Sequence, residues 1–159
     1  MLLKASVVIR RSPGEVWSYL GNVDNVANWD RGVAGVETNS NAPAGVGFEF
    51  DTLARSPRSA ADKDWGKMSY RITDIDPVRG CTIQLTSKSG NARFFKSAEW
   101  RFRVEPAADG STVHCVAEFR LRFPWIILAP VFLGMKKAIR SDLEQLKKVL
   151  ENRPQPSHS

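Results

Sequence analysis

Few side chains in this sequence combine a reactive type with a setting that could use it. Lys96 is one, because it alternates in phase with Phe94, Ala98, Trp100 and Phe102 and is expected to point inward with them. A buried amine gives up its proton unless a partner holds it, so Lys96 there would meet a ligand carboxylate or enolate. A lysine near a strand end can instead snorkel to water. Asp74 and Asp76 flank Ile75 ahead of Pro77. As a carboxylate pair they could exchange protons, but their place at a strand end before a turn suits local capping. His114 falls on the outward face of a predicted strand, opposite Glu105. Spacing brings no serine, histidine and carboxylate together, so a triad has no support.

Cys81 and Cys115 each sit among apolar neighbours inside a predicted strand, which suits reduced core thiols. There is no CxxC, and His114 and His158 are the only imidazoles. A zinc site needs a denser cluster. Gly45-Val46-Gly47 precedes a strand, whereas nucleotide fingerprints follow a strand and open a helix. No metal and no cofactor is therefore expected.

The net charge of +6 suits weak attraction to anions without choosing one. Arg93, Arg101, Arg103, Arg120 and Arg122 share the expected outer face of the sheet. A nucleic-acid surface would interleave aromatic platforms with them. Only Phe95 is available, and Glu99 and Glu118 interrupt the patch, so a solvated, cross-paired face is expected and no nucleic-acid partner.

The elements that must position these residues follow from periodicity. Ala5 to Arg11 reads as a β-branched strand, and Ser12-Pro13-Gly14-Glu15 as a helix start with a cap, a proline at the first position and a capping box. Val16, Trp17 and Leu20 share one face of a helix ending near Gly21, and a second short helix is expected over 23–29. The period then changes to two. Strands are expected over 33–39, 46–54, 66–76, 80–88, 92–105 and 112–123, with 55–64 as a loop or frayed edge. Centring the last turn on Asp109-Gly110 pairs Trp100 with Phe119, Phe102 with Ala117 and Val104 with Cys115. The other face then pairs Arg101 with Glu118 and Glu99 with Arg120. A long helix over 130–151 carries Met135, Ile139, Leu143, Leu146 and Leu150 on one stripe. The division expected is a single domain over 1–151 and a disordered tail over 152–159.

Hydrophobic residues make up 42% of the 159 and charged residues 25%, in keeping with a globular chain large enough for a real core. The first residues show no export signal and no apolar run reaches the roughly 20 residues of a spanning helix, so a cytoplasmic location is expected. The segment from Phe123 to Met135 is too apolar for a solvent loop, and Lys136, Lys137 and Arg140 follow it. It could line a cavity mouth, meet a second copy in a homodimer, or make weak contact with an anionic membrane surface.

The order of these elements resembles the START-like superfamily, also called SRPBCC, and within it the polyketide cyclase/dehydrase-type proteins. The residues that carry the likeness are the run Val7 to Trp17, Asn28-Trp29, Gly45-Val46-Gly47, Tyr70 to Pro77, Asp109 to Val113 and Leu143 to Glu151. Together they span about residues 3–151. The resemblance implies an α+β helix-grip fold, an antiparallel sheet of six to seven strands wrapped around a long C-terminal helix, with two short helices after the first strand. It also implies a cavity between sheet and helix for lipids, sterols or polyketide-like molecules.

On that reading Trp29, Phe48, Phe50, Tyr70, Ile72, Leu85, Trp100, Phe102, Phe119, Met135 and Ile139 wall the cavity, with Lys96 its one basic group. As ordinary residues they would simply fill a core. The expected function is binding of a hydrophobic small molecule. The alternatives are a cyclase or dehydrase acting on a polyketide-like substrate, and an interaction domain whose cavity is collapsed. Fold alone does not choose among them.

Overall fold

The computed structural model describes residues 1–38, 44–55, 66–76, 80–88, 90–125, 127, 130 and 133–154. All of the expected loop at 55–64 except Arg55, and the last five residues of the expected tail, lie outside these. Seven antiparallel strands form one sheet in the order β1-β7-β6-β5-β4-β3-β2. They are β1 (Leu2–Ile9), β2 (Val33–Thr38), β3 (Glu49–Ala54), β4 (Lys67–Asp76), β5 (Gly80–Leu85), β6 (Phe95–Ala107) and β7 (Gly110–Leu121). Consecutive strands from β2 to β7 are hairpin neighbours, so only the connection from β1 to β2 must travel from one sheet edge to the other. It does so through α1 (Pro13–Leu20), a 3₁₀ turn at Val23–Asn25 and α2 (Val26–Trp29). The chain closes with α3 (Leu133–Glu151). This is the α+β helix-grip architecture expected from the order of elements.

Local chemistry sets the helix ends. Ser12 Oγ accepts the Glu15 N–H at 3.4 Å while the Glu15 carboxylate accepts the Ser12 N–H at 3.0 Å, the reciprocal capping box. At the far end of α3, Arg11 caps in trans. Its guanidinium donates to the carbonyls of Leu150 at 3.0 Å and Glu151 at 3.2 Å, and also to Arg153. Those carbonyls have no partner within the helix. Beyond α3, the Arg153 guanidinium lies 4.8 Å from the centre of the Tyr19 ring.

The main core lies where α3 crosses β1, β7 and α1. Leu143, Leu146 and Leu150 pack there with Val7, Ile9, Val16, Leu20, Val113 and Cys115, all buried. The stripe read along α3 therefore meets the sheet as expected.

Two local readings are corrected. The β6–β7 hairpin is shifted by two residues: Ala107 faces Gly110, and Trp100, Phe102 and Val104 pair with Ala117, Cys115 and Val113. The two turn residues are Ala108 and Asp109, because Gly110 is needed in the strand. It has φ +142°, and a Cβ there would lie 2.2 Å from the Ile9 carbonyl oxygen. A shift of two preserves both faces, so the inward set is unchanged while the charge pairing moves. Glu99 now faces Glu118, and Arg101 bridges both at 2.9 and 2.8 Å.

The second correction concerns Lys96. A β-bulge falls between Phe95 and Ser97, and it resets the alternation of the strand. Lys96 is exposed on the bulge, and Phe95 takes the inner face, 5.6 Å from the Phe119 ring. Arg93 is not on the sheet either. It belongs to a 3₁₀ turn at Gly90–Phe94 that precedes β6.

Candidate functional site

The inner face of the sheet carries a connected strip of aromatic rings. Phe50 on β3 stacks on Tyr70 of β4 at 5.6 Å, Tyr70 meets Trp100 of β6 edge-on at 5.4 Å, and Trp100 meets Phe119 of β7 at 5.3 Å. From α2, Trp29 approaches Phe102 edge-on at 5.9 Å. Edge-on and offset pairs of this kind contribute about 0.5–1.5 kcal/mol each beyond area burial. Yet Tyr70, Trp100 and Phe102 are only half-buried although they sit mid-sheet. The reason is a cavity of about 100 Å³ between these rings and α2.

Its wall is built from Val26, Trp29, Asp30, Val33, Phe50, Thr52, Tyr70, Ile83, Trp100 and Phe102. Of the residues expected to wall a cavity, Trp29, Phe50, Tyr70, Trp100 and Phe102 do so. Phe48 and Ile72 pack behind Phe50 in a cluster with Val23. Leu85, Phe119, Met135 and Ile139 form another with Leu3, Ala98, Ala117 and Phe95. Lys96 faces solvent away from both.

Sequence reading missed Val26, Asp30, Val33, Thr52 and Ile83. Ile83 lies directly across from both Ile72 and Trp100. Thr52 shares the phase of Phe48 and Phe50, and Val26 precedes Trp29 by one helical turn, so periodicity held a signal for each.

The cavity's polar groups are few and close to α2. The Trp29 indole N–H is buried with no hydrogen-bond partner, and the whole residue is 7% exposed. A buried donor left unmade costs about 1–3 kcal/mol. Asp30 follows it, with its carboxylate accepting the Gly32 N–H at 2.8 Å. Burial raises the Asp30 carboxyl above its usual range, against the N–H groups of Gly32 and Val33 and the charge of Arg55. Arg55 is held there by the carbonyls of Ala27, Arg31 and Val33. The Tyr70 phenol is also raised, chiefly by burial and further by the Asp30 charge, while the neighbouring Thr52 hydroxyl works the other way. Tyr70 donates to Met68 Sδ at 3.7 Å. The result is an apolar slot with an indole N–H, a hydroxyl, a phenol and a carboxyl in its walls.

Other candidates lead elsewhere. Cys81 and Cys115 are buried free thiols that burial pushes up to about 12, which makes them inert core groups. Asp74 is exposed on a strand end, opposite Thr82. His114 lies outward, 3.5 Å from Glu105. Among the described residues no group of three or more histidine, cysteine or acidic side chains could hold a metal.

With this geometry in view, the sequence matches the family described as polyketide cyclase / dehydrase and lipid transport over residues 2–151. The chain belongs to that family. No curated protein matches it. Its fold is that of the Zhui aromatase/cyclase from Streptomyces sp. R1128, with TM-score 0.76, 15% identity, and 96% of this chain and 94% of that one covered. It is equally that of truncated norcoclaurine synthase from Thalictrum flavum (TM-score 0.72, 12% identity, 97% and 95% covered). TTHA0849 from Thermus thermophilus is similar too, at TM-score 0.72, 15% identity, and 94% and 97% covered. At these identities the likeness establishes the fold. Family and fold together support ligand binding or cyclase activity in general. Among the described residues no helix is long and apolar enough to cross a membrane.

Proposed function

We propose that this protein binds a hydrophobic small molecule, flat and bearing an oxygen acceptor, between the aromatic strip and α2. The observation that carries this is the buried, unpartnered Trp29 indole N–H in a wall made mostly of rings and aliphatic groups, with Asp30, Thr52 and the Tyr70 phenol as its other polar members. A ligand oxygen would satisfy a donor that the protein leaves unsatisfied. The cavity of about 100 Å³ is smaller than the ~150 Å³ apolar cavity that takes benzene in another protein, so a single ring enters with a small outward shift of the half-buried side chains. Larger polyketide- or sterol-like ligands would have to move the half-buried rings apart.

Native mass spectrometry of the purified chain, with extraction of anything bound, tests the reading. Phenol and toluene then serve as matched probes by calorimetry. Phenol is expected to bind about tenfold more tightly than toluene, and Trp29→Phe to erase that preference while keeping the fold. A clean apo mass with no binding of either probe would sink the proposal and favour a domain that acts through its surface.

A second reading rests on Asp30 and Tyr70, two ionisable groups in one cavity wall. In a cyclase or dehydrase the Asp30 carboxylate would accept a proton from an activated carbon and the Tyr70 phenol would donate one to a developing oxyanion. If so, Asp30→Asn would abolish turnover of a polyketide-like substrate while leaving its affinity within a few-fold.

A further inference from the structure

The cavity leaves unexplained the most exposed large apolar side chains among the described residues. Phe123 is 89% and Ile127 81% exposed, the highest values among the large hydrophobic residues described. They flank a segment that is itself anchored. Trp125 packs edge-on against Phe94 at 4.8 Å, with the Arg93 guanidinium 5.0 Å from the Phe94 ring. The Arg122 backbone N–H donates to the Phe94 carbonyl at 3.0 Å, and its side chain to the Phe95 carbonyl at 2.8 Å. Trp125 is thus turned inward while Phe123 and Ile127 are held out to solvent.

The charges along the neighbouring sequence are one-sided, up to Glu118, which reaches Arg120 at 3.9 Å. Between Gly80 and Glu99 the sequence has no acidic residue but has Lys88, Arg93 and Lys96. Between Glu118 and Asp142 it again has none, but has Arg120, Arg122, Lys136, Lys137 and Arg140. The contacts of Trp125 and Arg122 with Phe94 and Phe95 draw these two acid-free runs together. Met135 packs in the same cluster as Phe95 and Phe119, which brings the start of α3 to the same place. Lys96, Arg122, Lys136, Lys137 and Arg140 are all exposed.

We infer that this edge docks on an anionic membrane surface, Phe123 and Ile127 entering the headgroup boundary and the basic side chains meeting phosphates. Exposed apolar side chains with basic residues before and after them in the chain, and no transmembrane helix among the described residues, fit a protein that lies on a bilayer. A second copy fits less well, because self-docking would set two edges rich in basic side chains against each other.

The test is sedimentation of the full-length protein with vesicles of phosphatidylcholine alone or mixed with phosphatidylglycerol, at low and high salt. Binding is expected only to the mixed vesicles, weakening steeply with salt. Lys136→Gln/Lys137→Gln/Arg140→Gln is expected to weaken it about a hundredfold. Phe123→Ser/Ile127→Ser should abolish it and remove a blue shift of tryptophan emission on binding. All five positions are exposed, so both variants are expected to melt like the parent. No binding to either vesicle overturns the inference, as does equal binding to both. So does a concentration-dependent dimer that Phe123→Ser/Ile127→Ser dissolves, which would assign the patch to a second copy.

Discussion

In its C-terminal half α3 buries Leu143, Leu146 and Leu150 against β1, β7 and α1, and Arg11 caps its last carbonyls. In its N-terminal half Met135 and Ile139 are half-buried, while Gly134, Lys136, Lys137, Ala138 and Arg140 are exposed. One helix thus serves two purposes. The packed half holds the helix on the sheet, and the open half carries exposed basic side chains. Stability and function are assigned to different turns, so substitutions in the two halves must have different signatures.

The largest effect belongs to the packed half. Leu146 is fully buried, and Leu146→Ala is expected to cost about 2–5 kcal/mol of unfolding free energy. Ile139→Ala, at a half-buried position, is expected to cost roughly 1 kcal/mol. Urea titrations with an unchanged m-value measure both, and equal losses would break the comparison. Next comes Gly110→Ala. The added Cβ would meet backbone, 2.2 Å from the Ile9 carbonyl oxygen and 2.9 Å from Arg10 Cα, at a φ that L-residues avoid. A loss of about 1–3 kcal/mol is expected. Since the displaced segment leads straight into Arg11, the α3 C-terminus should lose hydrogen-exchange protection while vesicle docking persists. Unchanged protection would show that the two corners are not coupled.

The packed half was also the more legible one. Its stripe of Leu143, Leu146 and Leu150 repeats at helical spacing, and Val7 and Ile9 alternate at strand spacing, so local pattern and tertiary burial agree. Where reading failed, the cause lay outside the local pattern. Asp109-Gly110 carries a strong turn signal, but the glycine is required by the close approach of Ile9 on another strand. Lys96 alternates with its neighbours on paper, and nothing near it in sequence announces the bulge that turns it out. In the cavity wall the rings were readable because they are large and in phase. Asp30 was not, because a carboxylate at a helix end reads as a cap; Thr52 was in phase, but a threonine in a strand reads first as a β-former. Only the folded arrangement puts them in one cavity wall with Trp29, whose indole N–H has no partner.

Asp142, at the junction of the two halves, gives the smallest and most specific prediction. Its carboxylate accepts the Arg31 backbone N–H at 3.1 Å, which ties α3 to the turn after α2. Burial pushes its carboxyl up to about 6, with the charge of Asp30 adding to the rise and the Arg31 N–H opposing it. The sign follows from linkage: a carboxyl raised in the fold holds its proton where the unfolded chain has released it. Between about pH 4 and 6 the folded state therefore binds more protons, and this group's contribution to stability falls as pH rises. Above that window the full penalty applies. Asp142→Asn keeps an oxygen for the Arg31 N–H and removes the charge. It is expected to be more stable than the parent by about 1 kcal/mol at pH 7, allowing for solvent screening of a half-buried group. The difference should vanish near pH 4. Urea titrations across that range decide it. A gain that is the same at both pH values would mean that the amide stabilises by packing, and that the junction carries no proton-linked strain.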